Sequence, residues 1–122
     1  MVQESVLPAL LGLHKAVLAA ERRGLERVHG RLSNAAYLQI VSDPVRYGWL
    51  KPLSGLVLAF EETGDDRLPD DELLARARKL LAPPTDETPF GRRYLALLQR
   101  EPELVLAHSA LVSALRASGP PS

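Results

Sequence analysis

From Ser5 to His29 apolar side chains recur at every third or fourth position, and this stretch constrains the fold more than any other. The spacing is that of an amphipathic helix with one face committed to a core. At 100° per residue, Val6, Leu7, Leu10, Leu11, Val17, Leu18, Leu25 and Val28 occupy a single arc from about 240° round to 20°. Ser5 can cap this helix with Pro8 in its opening turn, and Gly30 supplies its stop. Every later element must pack along this long helix.

Proline and glycine divide the remainder into shorter helical segments. Ser33 caps a second helix through Ala36, Leu38, Ile40 and Val41, which Asp43-Pro44 ends. The same Asp43-Pro44 pair reads as the start of a third stretch through Tyr47, Trp49 and Leu50, which Pro52 kinks or restarts. Leu53, Leu56, Val57 and Phe60 continue the helical spacing as far as Gly64. A fourth helix begins near Pro69-Asp70-Asp71-Glu72 and ends among Arg76, Arg78 and Lys79, charges ordered to suit the helix dipole. Pro83-Pro84 breaks the chain before a fifth helix through Phe90, Tyr94, Leu97 and Leu98. Glu101-Pro102 precedes a sixth through Leu104, His108, Leu111 and Leu115. No stretch alternates with period two for long enough to argue a strand. The expectation is an all-α, single-domain bundle of five or six helices over residues 1–118, the long first helix against the sixth, with 119–122 a flexible tail.

Composition narrows the class. Fifteen basic and fifteen acidic side chains cancel, so neither nucleic acid nor an anionic bilayer is an expected partner. The absence of cysteine removes disulfides, thiolate metal sites and cysteine nucleophiles. The apolar run Val6–Leu13 lacks a basic stretch before it, carries Glu4 there instead, runs on into His14 and Lys15, and is too short for a membrane span, so a cytoplasmic protein is expected.

Three titratable residues fall on faces that should be buried. Glu21 and His14 lie at about 300° and 320° on the first helix, inside its apolar arc, and His108 lies beside the leucine stripe of the sixth. Seven residues separate His14 from Glu21, a rise of about 10.5 Å, so each needs partners from other helices. His108, Tyr37, Tyr47 and Tyr94 are the candidates. A buried structural pair such as Glu21 with His108 is one reading, since buried charge must be paired. A ligand pocket using His14, Glu21, His108, Tyr94 and Trp49 is another, and a metal or redox site a third.

Recognisable chemical motifs are weak. Glu26-Arg27-Val28-His29 is half of a di-iron Glu-x-x-His pattern, but no second half exists and Glu26 lies on the polar face. The acidic run from Glu61 to Glu72 lacks the alternation of a calcium loop and puts a proline where such a loop must coil. Ser54 stands in PLSG, without the G-x-S-x-G elbow, and reads as a helix cap; Ser109 follows His108 directly and diverges from it by about 100°. Arg22, Arg23, Arg27 and Arg31, and the pair Arg92-Arg93, read as solvated faces and helix-end charges. Trp49 beside its proline reads as a core anchor or a half-exposed contact residue. Neither a catalytic residue nor a resident cofactor or metal ligand is assigned.

The stretch DPVRYGWLKPLSGLVLAFEE, with HKAVLAAERRGLERVHG upstream and FGRRYLALLQREPELVLAH downstream, resembles a group of small uncharacterised bacterial helical proteins, with WLKPLS its most distinctive piece. The resemblance implies a bacterial, cytosolic, all-α protein and supplies no catalytic residue. The function expected is a non-enzymatic interaction or self-associating module, a homodimer or a protein with a protein partner. The alternative is a small-molecule or metal-binding protein built on His14, Glu21 and His108.

Overall fold

The computed structural model describes residues 3–43 and 48–118 and is all-helical over them. The expected helix start at Pro44, the candidate Tyr47 and the tail at 119–122 lie outside the described residues. The elements are α1 (Gln3–His29), α2 (Asn34–Val41), a 3-10 turn (Gly48–Leu50), α3 (Lys51–Glu61), α4 (Asp70–Leu81), α5 (Pro89–Arg100) and α6 (Pro102–Ala117).

The boundaries follow local chemistry, with three departures. α1 begins at Gln3 rather than after Ser5, which puts Pro8 inside the helix, where it costs one backbone hydrogen bond. Gly30 adopts φ 80°, the left-handed stop anticipated for it, and its N–H closes onto the Glu26 carbonyl at 2.9 Å. Ser33 caps α2 by accepting from the Ala36 N–H at 3.1 Å. α3 ends at Glu61, short of Gly64, because Glu62 is already extended and its carboxylate accepts from the N–H groups of Thr63 and Gly64. Ser54 caps nothing. α3 grows directly out of the 3-10 turn, leaving Ser54 inside its first turns.

α1 packs chiefly on α6 and, on another side, on α3; α4 rests on α3 and α6, and α5 on α6 and the 3-10 turn. Val6, Leu10, Leu13, Val17 and Ala20 of α1 are fully buried against Leu53, Phe90, Leu104 and Leu111. Each such leucine contributes about 1.5–3 kcal/mol of transfer free energy. The arc expected on α1 departs at Leu11, which is exposed, and at its end, where Val28 is 78% exposed. Among the described residues no element covers that last turn.

Polar side chains fasten the α1–α2 corner. Arg22 donates to Asn34 Oδ1 at 2.9 Å and to the Leu32 carbonyl at 2.7 Å, and its guanidinium lies 5.0 Å from the Tyr37 ring. Glu26 Oε2 accepts from the Leu32 N–H at 2.8 Å, and Tyr37 Oη donates to the Leu18 carbonyl at 3.0 Å. Residues read from sequence as a solvated face therefore hold a turn.

Candidate functional site

Glu21 is buried to 4% exposure, as its place on the apolar arc required. Its partner is Arg93 of α5, not His108. Arg93 Nε donates to Oε1 and Nη2 to Oε2, both at 3.1 Å, a two-pronged fork that matches the planar carboxylate. The guanidinium carbon also lies 5.8 Å from the centre of the Trp49 ring, so one arginine joins the buried acid to the indole.

A row of rings continues inward from Trp49. Phe90 stands 6.1 Å from Trp49, Tyr94 is stacked on Phe90 at 5.3 Å and 15°, and His108 is 5.5 Å from Tyr94. Tyr94 Oη and His108 Nδ1 share a hydrogen bond at 2.6 Å. Burial pushes the Tyr94 phenol above its ordinary range and the His108 imidazole below its own. Both shifts favour the uncharged forms, a protonated phenol beside a neutral imidazole.

His14 is half-buried and shares a 3.1 Å hydrogen bond between Nε2 and Ser54 Oγ on α3. Burial lowers its pKa, and the nearby Glu61 carboxylate acts in the opposite direction. A hydroxyl next to a neutral imidazole has the atoms of a nucleophile and base, but catalysis also needs an orienting group and an oxyanion site. Among the described residues no carboxylate hydrogen-bonds the second ring nitrogen. The contact ties α1 to α3.

The five sequence candidates thus divide into three places. Glu21 and Trp49 meet through Arg93, Tyr94 and His108 pair with each other, and His14 stands apart on Ser54. Among the described residues no three histidine, aspartate or glutamate side chains come together to hold a metal ion. The expected pairing of Glu21 with His108 fails because α5 lies over Glu21 and carries an arginine at the right turn.

Glu21, Arg93 and Trp49 open onto a cleft of about 570 Å³ between α1 and α5. Ala20, Leu25 and Val28 give it an apolar wall, and Arg27 and Arg100 give it two more guanidinium groups. Arg27 reaches Glu101 only at 4.0 Å, and Arg100 has no acidic partner among the described residues. Glu101 is itself buried at the hinge between α5 and α6, where Arg23 donates to it at 3.3 Å. The cleft therefore carries more positive than negative charge at its mouth, over an indole and an exposed valine.

Arg93 is the site residue that sequence reasoning passed over. A signal existed, because a basic pair in the first turn of a helix opposes the helix dipole and calls for some other reason. No protein-family model, no curated protein and no solved structure matches the chain. No helix among the described residues is long and apolar enough to cross a membrane.

Proposed function

We propose that the protein is a non-enzymatic self-associating module, in which the α1–α5 cleft of one copy receives the acidic end of α3 from another. The observation that carries this reading is the cleft itself. Trp and Arg, the residue types that dominate interface hot spots, line it together with an exposed Val28 and an unpaired Arg100.

The chain also carries a complementary surface. Leu58 is 68% exposed near the end of α3, and Glu61, Glu62, Asp65 and Asp66 follow it. Asp65 and Asp66 have no basic partner among the described residues. The two surfaces are separate, since no residue of the acidic end lines the cleft. Ser54 meets His14 while Trp49 sits by Glu21, so α3 runs antiparallel to α1 and carries Glu61 away from the cleft. Two copies laid side by side in opposite directions place each cleft against the other's acidic end, a closed two-fold arrangement.

Sedimentation across micromolar concentrations tests this. A dimer is expected at low salt, weakened by salt and by Arg100→Glu, and restored when Arg100→Glu is combined with Asp65→Arg. A monomer throughout, or a dimer indifferent to Arg100→Glu, refutes the reading.

A further inference from the structure

A second cleft lies on a different side of the molecule, between the first turns of α3, the last turns of α4 and the connection into α5, with a volume of about 450 Å³. Its size falls in the range of small-ligand pockets. Leu56, Ala59 and Leu80 form its apolar wall, and Lys51, Arg76 and Lys79 stand around it; no acidic side chain lines it. Arg76 is held from outside by Glu72 at 3.4 Å, while Lys51 and Lys79 have no acidic partner among the described residues.

The cleft is an open groove with one fixed wall. A Cβ on Gly55 would meet nothing within 4 Å, so the α3 wall is open at its centre. The opposite wall is fixed, because Gly91 of α5 lies so close to the Thr85 carbonyl that no side chain fits between them. Thr88 Oγ1 accepts from the Gly91 N–H at 2.9 Å and holds the start of α5 in place. The lining also includes the first turns of α3 and α5, whose backbone ends carry partial positive charge.

We propose that this cleft binds a small organic carboxylate bearing a short apolar tail, the tail against Leu56, Ala59 and Leu80 and the carboxylate toward Lys51 and Lys79. A charged head alone lacks the apolar wall, and a tail alone leaves the cations without a counter-ion. Neither half suffices.

Titration calorimetry with octanoate, octanol and acetate tests the proposal, with amide chemical shifts locating the site. Octanoate is expected to bind saturably at one site, with shifts confined to α3, α4 and residues 85–91. Octanol and acetate should bind about tenfold more weakly or worse, the loss expected for one charge-assisted contact or one buried tail. Lys51→Glu with Lys79→Glu should abolish binding. So should Gly55→Leu, which fills the cleft from an exposed helical position that tolerates leucine. Arg100→Glu should leave octanoate binding unchanged, which separates this site from the self-association surface. Absence of saturable octanoate binding overturns the proposal. So does equal binding of octanol, or octanoate binding that survives Gly55→Leu in a folded protein. Shifts appearing only with anionic lipid vesicles would assign the cations to a membrane surface and also overturn it.

Discussion

Arg93 grips Glu21 with both prongs of its guanidinium across 72 positions of sequence, the carboxylate buried and the arginine half in water. Removing the arginine strands a buried charge, whereas removing both partners does not. Arg93→Ala is therefore expected to lower the unfolding free energy by about 2 kcal/mol, below the figure for a fully buried pair because solvent screens the exposed partner. Glu21→Leu combined with Arg93→Leu should recover most of that loss. Urea denaturation of the three variants checks both statements.

His14 and His108 both have pKa values pushed below the ordinary 6.5 by burial, so the folded protein binds their protons less readily than the unfolded chain does. The stability they allow is present above about pH 6.5 and falls away as the pH drops below that value. Melting temperature is expected to decline between neutral and mildly acidic pH. The decline should be shallower in a variant carrying His14→Gln and His108→Gln. Ring-proton titration by NMR should place both midpoints below 6.5.

Tyr94→Phe removes the hydrogen bond to His108 Nδ1 while keeping the ring stack with Phe90. A loss of about 1 kcal/mol is expected at neutral pH, the size of one net hydrogen bond. Chemical denaturation measures it, and an unchanged midpoint would mean that water replaces the phenol.

Two glycine-to-alanine changes should move stability in opposite directions. A Cβ on Gly91 would sit 1.5 Å from the Thr85 carbonyl oxygen, so backbone must shift. About 3 kcal/mol of destabilisation is expected for Gly91→Ala. Gly12 of α1 is exposed with nothing within 4 Å, and Gly12→Ala should stabilise by about 0.5–1 kcal/mol through helix propensity. Thermal unfolding of the two variants compares them directly.

The helices, their order and the dominant α1–α6 contact were legible because they follow from periodicity and from proline and glycine chemistry, which act locally. The burial of Glu21 was legible for the same reason. Its partner was not. A helical wheel shows which residues face inward and says nothing about which turn of another helix lies opposite, so Arg93 passed as a surface charge and Glu101 only as the break before α6. Val28 erred in the other direction. It continues the apolar arc of α1, but the bundle ends before it does, and periodicity within one helix carries no record of its neighbours' lengths. Tyr37 and Arg22 were hidden by a short-range effect, the polar closure of the α1–α2 corner.

The sequence distances across the α1 contacts matter for how the chain is made. Two of its fastenings, Glu21 to Arg93 and Arg23 to Glu101, span 72 and 78 residues, against 40 for His14 to Ser54. On a ribosome α1 emerges with its leucine stripe uncovered; α3 can cover one part of it, and the part that packs on α6 waits until that last helix has followed. Throughout that interval the stripe is available to chaperones and to other nascent chains. Local helix formation cannot shorten the wait, since the limiting event is loop closure over most of the described chain.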